Sequence, residues 1–423
     1  MLVRKLITLL GIHESPPCQY ELDGCLSEPT SYVQDAIIDL YLQKGEKIDE
    51  IHVLLTPEAR AENWIGENRL FDKLKKYEQE HQLRIVDHDI SGKADIEHIW
   101  QLFETIIGIM KDEDRIIFDI THSFRYQPIL ALLSIHFARI TKNVQVDGIY
   151  YGLYDPKAVI KKFPIVDLTS FVDLQDWITN VYTFTRTGRV DGLADWIREK
   201  EKNIRKEERR TTIDLKYIRQ LANSWQELAS ALQTVRSMDL PEAAKQAAAS
   251  IESVKNVMLR PAFTPLNELL SNVENEIKPI AHDDPVFSGM AAIEWCYQHG
   301  LYQQAYTLAD ELVVTAICLK HNIDIKDINA RNEVTYILNA VIKVLQNQNG
   351  ELDLSDFAKQ EIAKDLLDYP ELLKLVHTIK DNRNDINHAG WRKQPLSAAA
   401  LEEQFHQLLE TYKERLIHYY SSR

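Results

Sequence analysis

The chain has 423 residues, 45% of them hydrophobic, and a formal net charge of −15 at pH 7. That length allows two or three domains with substantial cores. The acidic balance excludes a protein that coats nucleic acid through bulk electrostatics, so any nucleic-acid contact must be local. The four cysteines, Cys18, Cys25, Cys296 and Cys318, form no Cys-x-x-Cys pair and share no metal-type spacing. Reduced thiols in a cytoplasmic protein, and no metal site, are the expectation. Residues 1–10 are apolar but short and lack a cleavage site; they read as a strand rather than a signal peptide, and no apolar stretch has the length of a membrane span.

Residues 1 to about 168 alternate strand and helix signals. Strands are expected at 6–10, 51–56, 83–86, 115–120, 144–151 and 163–166. Helical patterns fall between them, at 31–44, from Pro57 through 70–77, at 95–110, and over the apolar segment 129–140. Pro57 stands at the favoured first position of a helix. Alternation of this kind predicts an α/β, Rossmann-like domain, with a parallel sheet covered by helices on both faces. Ligands of such sheets sit beyond the carboxyl ends of the strands. Three loops, at 11–15, 56–57 and 121–125, are therefore expected to meet at one edge.

From about residue 170 the chain reads as helix almost throughout. Helices are expected at 174–184, 193–197, 218–235, 242–259 and 266–280, with a break at 260–265. The mixed-sign run 198–210 is read as a solvated helix face laced with ion pairs. His282-Asp283-Asp284-Pro285 marks a boundary, after which 286–299, 303–321, 332–346, 355–367, 369–380 and 398–420 form a helical bundle. Three domains follow: 1–170, 171–282 as a helical connector, and 283–423.

Two stretches carry chemistry. Ile116-Ile117-Phe118-Asp119-Ile120 is a strand buried on both faces, and Thr121-His122-Ser123-Phe124-Arg125 leads from it into the next helix. A turn of hydroxyl residues at a helix start, with an Arg just inside, is suited to holding phosphate. Gly11 stands alone after the first strand, and neither a Gly-x-Gly-x-x-Gly nor a Gly-Lys-Ser/Thr loop occurs, so the usual coenzyme signatures are absent. Asp119 is expected to order the turn through backbone N–H groups or to pair with Arg125. The second stretch is Arg383-Asn384-Asp385-Ile386-Asn387-His388. An Arg and a His one to two helical turns apart, doubled across a twofold axis, suit metal-independent RNA cleavage. The His would move the 2′-hydroxyl or 5′-oxygen proton and the Arg would stabilise the pentavalent phosphate. The plain alternative is a pair of surface residues near a helix end capped by Gly390.

The segment 119–128, ending Tyr126-Gln127-Pro128, resembles the signature of the CARF domain of CRISPR-associated proteins, and Arg383 to His388 resembles the Arg-x4–6-His motif of HEPN ribonucleases. The order of a Rossmann-like domain, a helical middle and a helical C-terminal bundle is similar to that of the CARF–HEPN ribonucleases of type III CRISPR systems. The resemblance implies a homodimer, or a higher assembly, that binds cyclic oligoadenylate across its N-terminal domains, with cyclic tetraadenylate the expected ring. It implies metal-independent cleavage of single-stranded RNA at the HEPN site, with neither membrane nor DNA as a partner. Carried over by position, Thr121, His122, Ser123 and Arg125 would contact the ligand's phosphates and ribose, with Phe124 shaping the pocket. Gly11, Ile12 and Thr56 would line the rest, and Tyr151 would stack on an adenine unless that stretch packs in the sheet. Arg383 and His388 would be catalytic, with Asn384 orienting phosphate or His. Two alternatives stay open: a cyclic-oligonucleotide sensor or scaffold without nuclease activity, and a ring nuclease that degrades its own activator.

Overall fold

The structure is a computed structural model that describes residues 2–13, 15–122, 126–190, 192, 212–256, 266–346 and 359–422. The chain divides into two compact units, Met1–Gln175 and Asp176–Arg423.

The first unit holds an eight-stranded sheet: β1 (Arg4–Leu9), β2 (Gln19–Leu22), β3 (Cys25–Leu26), β4 (Glu50–Leu55), β5 (Arg84–Asp89), β6 (Arg115–Asp119), β7 (Gln145–Gly152) and β8 (Lys162–Asp167). The spatial order is β3-β2-β8-β7-β6-β1-β4-β5. Five strands, β7-β6-β1-β4-β5, pair in parallel. Their order is that of a doubly wound sheet, and it reverses between β1 and β6. The six expected strands are present, but the sheet is mixed. β8 runs antiparallel to β7, because the short 153–161 link contains no helix to carry a parallel crossover. β2 and β3 form a hairpin added to β8. The sequence reading assigns no element to their stretch; the positive φ of Asp23 and Gly24 makes the tight turn between them.

Helices α1 (Val33–Gln43), α2 (Pro57–Ala59), α3 (Leu70–His81), α4 (Ile96–Ile109) and α5 (Gln127–Lys142) flank the sheet. Residues Arg60–Trp64 wind as a single π-helical turn after α2. Strand side chains alternate between faces. Leu6, Ile51 and Val53 pack with α1 and α3, whereas Ile7, Leu9 and Leu54 pack with α4 and α5. Asp95 caps α4, its Oδ1 accepting from the His98 N–H at 3.1 Å.

α6 (Ser170–Thr187) starts in the first unit and ends in the second. Then follow α7 (Thr212–Gln233), α8 (Leu240–Asn256), α9 (Leu266–Ile277), α10 (Pro285–Gln298), α11 (Tyr302–Lys320), α12 (Ile328–Gln346), α13 (Gln360–Leu367), α14 (Pro370–Asn387) and α15 (Ala398–Ser421). One buried apolar cluster joins them: Trp225 of α7, Trp295 of α10, Tyr306 of α11 and Tyr412 of α15 all belong to it. The expected helix 193–197, the charge run 198–210 and the break 260–265 lie outside the described residues. Among those described, no helix is long and apolar enough to cross a membrane. The four cysteines are free thiols.

Candidate functional site

β1 and β6 are neighbours, so the loops after them leave the sheet side by side at the reversal point. Gly11 follows β1 and Thr121-His122 follows β6. A Cβ placed on Gly11 would lie 2.9 Å from His122 Nδ1 and 3.1 Å from its Cγ, so only glycine permits this approach of backbone to imidazole.

Beneath the contact lies a buried polar network centred on Asp119, which is fully buried. Its Oδ2 accepts from Thr8 Oγ1 at 2.6 Å and from Gln34 Nε2 at 3.2 Å. Its Oδ1 accepts from Thr121 N at 3.0 Å and from Thr121 Oγ1 at 2.5 Å. The Gly152 N–H in turn donates to Thr121 Oγ1 at 2.8 Å, which ties the end of β7 to the turn. Burial pushes the Asp119 carboxyl above the ordinary carboxylate range, against the hydrogen bonds from Thr121 and Thr8. Burial likewise lowers the His122 imidazole below its ordinary value, with Asp119 opposing and His13 adding to the effect. His122 is therefore uncharged near neutrality.

Thr56 ends β4 and caps α2, its Oγ1 accepting from Ala59 N at 3.2 Å. Asn63, buried in the π turn, donates through Nδ2 to the Gly11 carbonyl at 2.8 Å, while its Oδ1 accepts from Arg69 Nη1 at 3.2 Å. Ile12 is exposed on the loop after β1, and Tyr151 is partly exposed at the end of β7. Tyr150 is buried, its hydroxyl 2.9 Å from that of Tyr41, and so belongs to the packing. Ser123, Phe124 and Arg125 lie outside the described residues, and with them the expected Arg125–Asp119 pair. The structure thus brings Gly11, Thr121 and His122 together. It adds Asn63, Gln34, Thr8 and Gly152, which sequence reasoning missed. Gln34 had no visible signal inside an apolar helix; Asn63 had one, a polar residue beside Trp64 just beyond a strand end.

In the second unit, Arg383 lies in the last turns of α14 and His388 is that helix's exposed C-cap. Arg383 Nη2 lies 3.1 Å from Oδ2 of the buried Asp310 on α11, and its Nη1 donates to Asn384 Oδ1 at 3.1 Å. Its Nε has no hydrogen-bond partner among the described residues. Asn382 is buried and donates to Tyr306 Oη at 3.1 Å and to Gln404 Oε1 at 2.9 Å. Asp385 Oδ2 accepts from the Leu396 N–H at 2.7 Å. The even-handed mix of buried and outward residues lets one helical stretch hold its neighbours and present Arg383 and His388. Its end is a Schellman turn: Gly390 N donates to Asp385 O and Ala389 N to Ile386 O. Ala389 takes the left-handed position directly after the cap, at φ 54°, and Gly390 follows it at φ 74°.

Among the described residues no group of three His, Cys, Asp or Glu side chains is placed to hold a metal ion.

Residues 173–281 match the family model of the second domain of CRISPR-associated protein MJ1674. CRISPR-associated protein MJ1674 of Methanocaldococcus jannaschii is 33% identical over 132 residues, which is 30% of this chain and 21% of that protein's length. The match thus spans about a fifth of the curated relative. A solved structure, Enterococcus italicus Csm6 bound to cyclic hexa-2′-fluoro-hexa-dAMP, aligns over 100% of this chain and 95% of its own, at 12% identity and a TM-score of 0.38. So loose a superposition says nothing about the site. The matched domain lies between the motifs at 119–128 and 383–388.

Proposed function

We propose that the chain is a CRISPR-associated endoribonuclease, working in the cytoplasm, that is switched on by cyclic oligoadenylate and cuts single-stranded RNA without a metal ion. The carrying observation is the approach of Gly11 to His122 above the buried Asp119 network, at the reversal point of a doubly wound sheet that lacks coenzyme glycines. In this reading Gly11, Ile12, Thr56, Thr121, His122, Ser123, Phe124, Arg125 and Tyr151 line the ring-binding pocket of a 1–170 domain. A 171–282 connector joins it to a 283–423 nuclease domain, where Arg383 stabilises phosphate charge, His388 moves the proton and Asn384 holds Arg383 in place.

An exposed apolar stripe supports a homodimer. Ile129, Leu132, Leu133, Phe137 and Ile140 recur at helical spacing along the outer face of α5, opposite Ala131, Ile135 and Ala138, which pack on the sheet. Phe103 of α4 packs edge-on against Phe137 and Trp100, which extends the patch. A helix apolar on both faces is one that is covered on both. A second copy of unit 1 on this face would set two Thr121–His122 turns on one assembly, as a ring ligand requires.

The test is cleavage of single-stranded RNA with and without cyclic tetra- and hexa-adenylate, with EDTA present and absent. Stimulated, EDTA-resistant cleavage that His388→Ala abolishes is expected. The engagement of Arg383 with Asp310 and Asn384 favours a second reading, a ligand sensor without nuclease activity. That protein binds the ring and cleaves no RNA under any ligand.

A further inference from the structure

We propose that Trp391 is the platform on which an unpaired base of the RNA substrate stacks beside Arg383 and His388; the inference rests on the ribonuclease reading and extends it. Trp391 is 90% exposed, the most exposed aromatic side chain among those described. A bare indole is costly in water, since tryptophan carries one of the largest apolar surfaces of any side chain. Its neighbours are not loose. The Trp391 N–H donates to the His388 carbonyl at 3.0 Å, which fixes its backbone to the proposed catalytic histidine. Arg392 forks onto Asp381 of α14, with Nη2 at 3.1 and 3.0 Å from the two carboxylate oxygens, and Nη1 donates to the Asp381 carbonyl at 3.2 Å. Beyond the loop, the Leu396 N–H is held by buried Asp385 at 2.7 Å. The loop is pinned on both sides of Trp391, yet the indole takes no part in the pinning.

A fixed, exposed aromatic surface binds a flat partner with little loss of freedom. The surrounding charge selects that partner. Arg383 on the adjoining helix end is held by Asp310 and Arg392 by Asp381, so those charges are balanced, and Lys393, directly after Arg392 in the sequence, adds a further positive charge beside the indole. Asp381, the nearby carboxylate, is neutralised by Arg392. An aromatic ring among cations suits a nucleobase with its phosphates, and stacking accepts any base because every base has a π face. Single strands are the class whose bases are free to stack on protein. Trp391 thus sets substrate class and position, while proton transfer remains with His388.

The experiment uses the full chain. In a His388→Ala background, which holds RNA uncut, binding of a fluorescent single-stranded RNA is measured by anisotropy for Trp391, Trp391→Ala and Trp391→Phe, with molar mass followed by light scattering. Trp391→Ala is expected to weaken binding roughly 5- to 150-fold and Trp391→Phe to keep most of it. In the cleavage-competent chain the loss appears in KM rather than kcat. Equal RNA affinity of Trp391 and Trp391→Ala, in a protein whose wild type cleaves RNA, overturns the platform and leaves the ribonuclease reading standing. A drop in molar mass in Trp391→Ala assigns the indole to a contact between copies and overturns it too. A wild type that neither binds nor cleaves RNA overturns both.

Discussion

Arg383 and Asp310 meet across α14 and α11, with Nη2 3.1 Å from Oδ2, and Asp310 is the more buried of the two. Burial raises the Asp310 carboxyl above its ordinary value and Arg383 pulls it back. The pair aims the guanidinium at the cost of a desolvated carboxylate. Asp310→Asn removes that charge and keeps an acceptor, so the fold is retained and kcat is expected to fall about tenfold, with RNA affinity little changed. Asp310→Ala leaves Arg383 unpaired and is expected to lower stability by about 2 kcal/mol, less than a fully buried pair because Arg383 is partly exposed. Urea unfolding and single-turnover cleavage separate the two effects. Unchanged kcat in Asp310→Asn would falsify the positioning role.

Gly11→Ala presses a methyl group against His122, at 2.9 Å from Nδ1, 3.1 Å from Cγ and 3.2 Å from Cβ, so the side chain must shift at its root as well as its ring. Ring binding is expected to weaken at least tenfold while unit 1 stays folded, since the clash is confined to the loop. Calorimetric titration with cyclic tetraadenylate, beside a thermal melt, measures both. Wild-type affinity in Gly11→Ala removes His122 from the ligand site.

The pH dependence follows from His122. Burial lowers its pKa, so the free protein carries a neutral imidazole near pH 7. A bound phosphate favours the imidazolium and raises that pKa, so binding takes up a proton. Affinity should therefore rise as pH falls from about 7.5 to about 5.5, by at most tenfold per unit, and lie flatter in His122→Ala. Stability runs the other way: with the folded pKa depressed, the contribution present above the unfolded value is lost as pH falls through the folded one. A pH-independent affinity in the wild type contradicts the assignment.

Much of unit 1 was legible because burial wrote it plainly. Continuous apolar runs such as 116–118 mark strands covered on both faces, whereas the approach of Gly11 to His122 shows only in the structure. The hairpin at 19–26 was not legible, since two- and four-residue strands leave too little periodicity. Asn63 was hidden because a π turn carries its side chain to Gly11 out of helical register. Asp119 and Thr121, by contrast, were legible as site residues, but the Asp119 partners Thr8 and Gln34 come from 111 and 85 positions earlier, and the β1–β6 adjacency that brings Thr8 beside Asp119 is not written in any local pattern. At the other end of the chain, Arg383 and His388 were visible by spacing, whereas Asp310 was one carboxylate among 64 acidic residues.

Leu133→Glu places a charge in the middle of the outer stripe of α5, at a site more than half exposed in the single chain. The monomer fold should tolerate it, while the dimer should dissociate. Light scattering reads the mass, and loss of ring binding in the same variant ties dimerisation to the ligand. A dimer that survives Leu133→Glu and Ile140→Glu together places the contact elsewhere.

Ala389 holds a left-handed backbone that glycine adopts without strain. Ala389→Gly is expected to stabilise the chain by up to about 1 kcal/mol, seen as a shift in urea midpoint with an unchanged slope. Destabilisation would mean that the α14 cap is not formed as described.

Thr121 has a consequence that lies in proton counting. A threonine hydroxyl has one proton and two lone pairs. The proton of Thr121 is given to Asp119, one lone pair receives the Gly152 N–H, and its backbone N–H is likewise spent on Asp119. One lone pair remains. While Asp119 is ionised, Thr121 can only accept from a ligand, and a phosphate offers nothing to accept. The group that meets Thr121 must carry its own hydrogen, as a ribose hydroxyl or an adenine amine does. In the proposed pocket, Thr121 thus suits the ribose half of the expected phosphate-and-ribose contact.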